Sequence, residues 1–190
     1  IGPVFRADPS FTSRHATEFI SVDIEVSWID SHEDVMAIQE QMLHRALAAV
    51  KEKHGEEIQK LFGIEVRVPS IPFPRVTLED ALQIIKNRGH EVVRGGDLDP
   101  EGERQIAAWA EETHGHEFVF VTDYPATVRP FYHMRHESNP ALTKSYDLIW
   151  RGTEITTGAQ REHRLDALIE QVKHLVLRHQ RQFFVEFSPI

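Results

Sequence analysis

The chain has 190 residues, 41% hydrophobic and 27% charged, enough for one packed domain and inconsistent with wholesale disorder. Its net charge of −9 excludes a general basic coat for nucleic acid, while leaving room for a local basic pocket. With no cysteine and no apolar run near the roughly 20 residues of a membrane span, disulfides, thiolate sites and membrane insertion are excluded, and a cytoplasmic protein is expected.

In chain order, Ile20, Val22, Ile24, Val26 and Trp28 alternate with Ser21, Asp23, Glu25 and Ser27. That period of two predicts a strand over 18–30 with one buried and one polar face. Residues 2–7 are its expected antiparallel partner across a loop at 8–17, which gathers Arg6, Asp8, Arg14 and His15 at one end of a hairpin. A helix is predicted from about His32 to His54, opened by Ser31 and Asp34 as a capping box and stopped by Gly55. Val35, Ile38, Met42, Ala46 and Ala49 would form its apolar face. The run Pro69 to Pro74 reads as an extended connector. Thr77 caps a second helix that ends near Gly89, and Asp99 with Pro100 starts a third. Glu117 to Thr122 and Ser145 to Trp150 read as buried strands. A polar helix over about 161–179 and a last strand over Gln182 to Phe187 complete the reading. Antiparallel strands separated by helical stretches make the fold class α+β rather than a βαβ alternation.

Two distant segments carry the chemistry. The first, Phe5 to His15, groups Arg6 and Arg14 with Asp8 and His15 around a loop, and the guanidinium fork suits phosphate and carboxylate oxygens. Alone it would read as a surface hairpin with solvated charges. The second, Arg151 to Arg161, offers Glu154 and Thr157 as oxygen ligands of the kind Mg²⁺ takes, with Arg161 past a turn at Gly158. Together they suit a small acidic substrate and a nucleoside triphosphate. Asp23 and Glu25, on the polar face of the first strand, could face the same pocket. Asp97-x-Asp99-x-Glu101-Gly102 imitates a calcium loop, but position twelve would be Ala108 where an acid is needed, so it reads as a helix start. The histidines, including His114-x-His116 and His133-x-x-His136, form no closed zinc ligand set in the sequence.

Both segments resemble the class II aspartyl-tRNA synthetases of the archaeal and eukaryotic type, over about residues 4–168. The first matches the family's motif 2, Phe-Arg-Ala-Glu followed by a loop and Arg-His, with Asp8 in place of the usual Glu. The second matches Gly-x-Glu-Ile-x-Ser-Gly-x-Gln-Arg, with Thr157 in place of Ser. Arg129-Pro130-Phe131-Tyr132 matches a third stretch whose tyrosine lines the amino-acid pocket. The resemblance implies ATP and Mg²⁺ as cofactors, and L-aspartate and tRNA as partners. It makes Arg6 the catalytic arginine, bridging the substrate carboxylate and the ATP α-phosphate. Asp8, Arg14, His15 and Ala16 would meet ATP, and Glu154 and Thr157 would hold magnesium. Arg161 would grip the aspartate side chain, with Thr157, Tyr132 and Arg129 beside it.

The layout implied is motif 2 at 3–29, a helical insertion over about 31–115, and the amino-acid and magnesium segment at 145–166. The expectation is a partial catalytic domain of a homodimeric family. Its anticodon-binding domain, without which tRNA binding would be weak or absent, and its motif 1 do not appear. Neither does motif 3, since no Gly-x-Gly-x-x-Arg follows Arg161. Two alternatives stay open: an asparagine synthetase that activates aspartate, and a non-catalytic paralogue binding a nucleotide or a synthetase subunit.

Overall fold

The computed structural model describes residues 1–7, 16–91 and 97–173. Strand β1 (Gly2–Phe5) pairs antiparallel with β2 (Glu18–Ser21), Gly2 opposite Ser21 and Phe5 opposite Glu18, which is the expected hairpin. Helix α1 (His32–Phe62) follows, then β3 (Arg75–Thr77), α2 (Leu78–Asn87), α3 (Pro100–His114), β4 (Phe118–Thr122), β5 (Ser145–Trp150) and β6 (Thr153–Ala159). A further helical stretch covers 165–173. The last four strands form one sheet in the order β3-β4-β5-β6, parallel between β3 and β4 and antiparallel in the other two pairings. The class is α+β.

β4 and β5 are buried on both faces, and apolar side chains dominate both apart from the polar Thr122, Ser145 and Asp147. Phe118 and Phe120 join Tyr146, Leu148, Met36 and Phe73 on the α1 side. Val119, Val121 and Ile149 join Ala81, Ile106 and Ala110 on the α2–α3 side. Caps fix where the helices start. Ser31 accepts from Glu33 N while Asp34 reaches back to the N-cap backbone, completing the capping box. Thr77 accepts from Asp80 N and Asp99 from Gly102 N.

Several expectations are corrected. The strand over 18–30 stops at Ser21, because among the described residues no neighbouring strand continues its ladder. Its alternating side chains are not buried: Ile20, Val22, Ile24 and Trp28 are exposed, Trp28 fully so and with a left-handed φ of 61°. Helix α1 runs through Gly55 and ends at Gly63, whose φ of 67° closes the C-cap. One internal glycine costs only about 1 kcal/mol, and the helix formers from Glu56 to Leu61 outweigh it. The buried face of α1 is rotated from the one expected. It presents His32, Met36 and Glu40, with Val35, Leu43 and Leu47 alongside, whereas Ile38, Ala46 and Ala49 are exposed. The buried Glu40 accepts from Phe73 N at 3.0 Å and Arg75 Nη2 at 3.3 Å. The polar helix begins at 165 rather than 161, and the proposed strand over 182–187 lies outside the described residues.

Candidate functional site

β5 and β6 are joined by the two-residue turn Arg151-Gly152, with φ values of 50° and 81°, the positive pair that a tight hairpin of the right twist demands. Glu154 and Thr157 stand three apart, so regular alternation would point them to opposite faces. A β-bulge removes the conflict. Leu148 pairs with Thr156 and Ile149 with Glu154, leaving Ile155 as the extra residue. Glu154 opposite Ile149 and Thr157 opposite Asp147 then share the sheet face that carries Asp147. Gly158 is not a turn, as the sequence suggested, but an in-strand residue opposite Tyr146.

Asp147 sits fully buried in the middle of β5, and Arg129 is the cation that permits it. The Arg129 guanidinium is ion-paired to Asp147 Oδ2 and lies 3.7 Å from the Tyr124 ring centroid. Burial works against the Arg129 charge, yet the Asp147 carboxylate beside it keeps its pKa above the ordinary arginine value. Asp97 is pushed upward by burial and by Asp147, against the pull of Arg129. Glu154 stands at the lip of this group. Its side chain reaches solvent, but crowding against the sheet, followed by the charges of Asp147, Asp97 and Glu103, raises its carboxyl to about 7. Its backbone N–H donates to Glu103 Oε2 of α3 at 3.0 Å, which ties β6 to that helix.

That surplus of negative charge is one a cation would relieve. Among the described residues no set of three His, Asp or Glu side chains is arranged to cage a metal ion. On this face Glu154 and Thr157 offer oxygen donors of the kind that could hold a magnesium ion.

Beyond β6, residue 161 forms a bridge with His133, and the Arg161 guanidinium lies 4.6 Å from the Tyr132 ring centroid. Its Nη2 lies 3.7 Å from Glu25 Oε1, and both side chains are mostly exposed. His133 is buried between arginines. Burial first, then the charges of Arg129 and Arg161, lower its pKa to about 4, so it is neutral near pH 7. Glu162, buried directly after Arg161, is held by Arg164 through two hydrogen bonds of 2.9 Å. Its backbone N–H also donates to Tyr132 O at 2.9 Å, which fixes the chain on which Arg161 rides.

The structure thus gathers Glu154, Thr157 and Arg129 around Asp147, with Arg161 and Tyr132 at the next position along the same strand edge. Arg6 is exposed on the separate two-stranded sheet, its guanidinium 5.4 Å from the Phe19 ring centroid. Ala16 is exposed too, and Asp8, Arg14 and His15 lie outside the described residues. Asp147 and Glu162 were missed by the sequence reading. Asp147 had a signal: a lone carboxylate inside an apolar strand requires a buried partner.

The profile of tRNA synthetases class II (D, K and N) matches residues 1–188. The aspartate–tRNA(Asp/Asn) ligase of Aeropyrum pernix is 44% identical over 190 residues, covering 98% of this chain and 43% of that protein. The aspartate–tRNA(Asp) ligase of Pyrococcus abyssi is 40% identical over 173 residues, covering 91% and 39%. Among solved structures, the aspartyl tRNA synthetase from Entamoeba histolytica superposes with a TM-score of 0.83 at 29% identity, covering 91% of this chain and 36% of that one. The asparaginyl-tRNA synthetase from Pyrococcus horikoshii complexed with asparaginyl-adenylate gives 0.78 at 28% identity, covering 91% and 39%. The chain spans about two-fifths of the length of these relatives.

Proposed function

Because the chain belongs to the class II tRNA synthetases of the D, K and N group, we propose that its site serves the ATP-dependent activation of L-aspartate for transfer to tRNA. The observation that carries this reading is the bulged strand β6, which turns Glu154 and Thr157 to one face and leads directly to Arg161. In that reaction the aspartate α-carboxylate attacks the α-phosphorus of ATP in line, and pyrophosphate leaves. No covalent bond to the protein forms, so the chain acts by placement and charge neutralisation.

Arg161 would take the substrate β-carboxylate in a bidentate pair, exchanging its loose partner Glu25 for the ligand while the Tyr132 ring supports the guanidinium. Arg129 neutralises Asp147, which lessens the repulsion of an acidic substrate. Arg6 would bridge the α-carboxylate and the α-phosphate, with Asp8, Arg14, His15 and Ala16 meeting ATP. Glu154 and Thr157 are the residues that would hold Mg²⁺, which supplies positive charge against the phosphates when bound.

Calorimetric titration of the chain with L-aspartate in the presence of ATP and Mg²⁺ tests the reading, with L-asparagine as the comparison ligand. Aspartate should bind preferentially. Arg161→Leu should abolish aspartate binding and leave ATP affinity within about twofold. An equal loss of both would remove Arg161 from its assigned role.

A further inference from the structure

On the other face of the sheet, away from the carboxylates, the first turn of α1 rests on the core through a histidine. His32 is 6% exposed, and its Nδ1 is buried with no hydrogen-bond partner. Its ring stacks on Tyr146 at 6.4 Å with 22° between the planes, and meets His136 edge-on at 6.1 Å. His136 Nε2 lies 2.7 Å from Asp123 Oδ1 without hydrogen-bond geometry, and Asp123 is itself held in a left-handed conformation with φ 61°. We propose that His32 is a pH-sensitive latch, whose neutral ring docks the start of α1 on Tyr146 and whose protonation releases it.

The charges around the ring decide the direction. Burial dominates and disfavours the imidazolium. His136 from the 131–136 segment and Lys144 before β5 act the same way, while Glu33 on α1 and Asp123 after β4 oppose them. The balance is a lowered pKa. Moreover, His32 is the first residue of α1, where the helix dipole repels a cation. A histidine that is harder to protonate when docked than when free favours the undocked form as the pH falls below about 6.5, the free value.

Release has a route to the candidate site. The segment before α1 is tied to the first turn by Asp30 N and Ser31 N, which both donate to Asp34 Oδ2, and it carries Glu25, the neighbour of Arg161. Tyr146, the floor of the latch, packs on Gly158 of β6, between Thr157 and Ala159.

Hydrogen exchange on the full chain at pH 7.5 and pH 5.0, expressed as protection factors, provides the test. Amides of the first two turns of α1 should lose at least about tenfold in protection at pH 5.0, while α3 changes by less than about twofold. His32→Phe keeps a stacking ring without a titrating group and should abolish the selective loss. His136→Asn should shrink it, because it removes one of the groups that disfavour the charged ring. Parallel loss in the wild type and His32→Phe would overturn the latch. If His32→Phe does not fold, the His32 Cε1–H resonance of the wild type decides: titration below the free value supports the latch, and titration at the free value rejects it. None of these outcomes depends on aspartate or ATP binding.

Discussion

At Gly158 the spacing between β6 and the Tyr146 ring decides the residue type. A Cβ there would fall inside contact distance of Tyr146 Cζ and its hydroxyl, and 2.7 Å from Cε1. The ring cannot retreat, because Phe120 meets it edge-on at 5.3 Å and His32 covers its face. Gly158→Ala should therefore destabilise the chain by about 1–3 kcal/mol, the usual range for overpacking. Combining it with Tyr146→Leu should recover part of that loss, and urea midpoints for the single and double variants measure it. A different residue controls the acid limb. Arg164 holds the Glu162 carboxyl down at about 2, below its ordinary value of 4.5. A depressed carboxylate adds stability that is complete above the unfolded pKa and disappears as the pH falls from about 4.5 towards 2. Glu162→Gln should accordingly cost about 1.5–3 kcal/mol at pH 7 and much less at pH 2.5, read from denaturation curves at the two pH values. Equal costs at both would mean that packing, not charge, holds Glu162 in place.

At the scale of elements, helix starts depend on one or two polar side chains, and the sequence displays them. Ser31→Ala removes a cap whose oxygen receives Glu33 N at 3.1 Å. It should cost about 1 kcal/mol, visible as a lower urea midpoint with an unchanged slope. The same logic made the Thr77 and Asp99 caps legible, since each is a local hydrogen bond followed by helix-forming residues. The two buried strands were legible because length and apolarity suffice to find β4 and β5. What stayed hidden depends on partners far along the chain. β3 is three residues long and is a strand only because β4 pairs with it in parallel. The inward face of α1 includes His32 and Glu40, which periodicity counts as polar and the fold buries through Tyr146 and Phe73. For the site, residue types and spacing marked Glu154, Thr157 and Arg161. They could not reveal the bulge at Ile155, which is what gives Glu154 and Thr157 a common face. Nor could they pair Arg129 with Asp147, eighteen residues away.

Viewed as a whole molecule, the chain is well covered on the four-stranded sheet and bare on the hairpin side. Phe5 is 70% exposed, Ile20 74% and Trp28 fully, apolar surface without cover among the described residues. Water disfavours such surface, and a sheet edge left unpaired among the described residues invites pairing. A polypeptide of these 190 residues alone should therefore self-associate with rising concentration, and Ile20→Thr with Trp28→Ser should reduce that in sedimentation runs. The same geometry bears on activity. The proposed catalysis by placement would need the hairpin arginine Arg6 and the strand arginine Arg161 fixed relative to one another, yet they belong to separate sheets. The described link between their segments is the exposed 3.7 Å pair of Glu25 with Arg161, a type worth about 0–1 kcal/mol. A charged contact contributes about 1.5–3 kcal/mol, so an Arg6 that is not held in register with Arg161 lowers the rate by roughly tenfold or more. Aspartate-dependent pyrophosphate exchange by this polypeptide should fall at least that far below the Aeropyrum pernix ligase assayed alongside it. A rate within tenfold of that enzyme would show that the hairpin and β6 hold the two arginines in alignment.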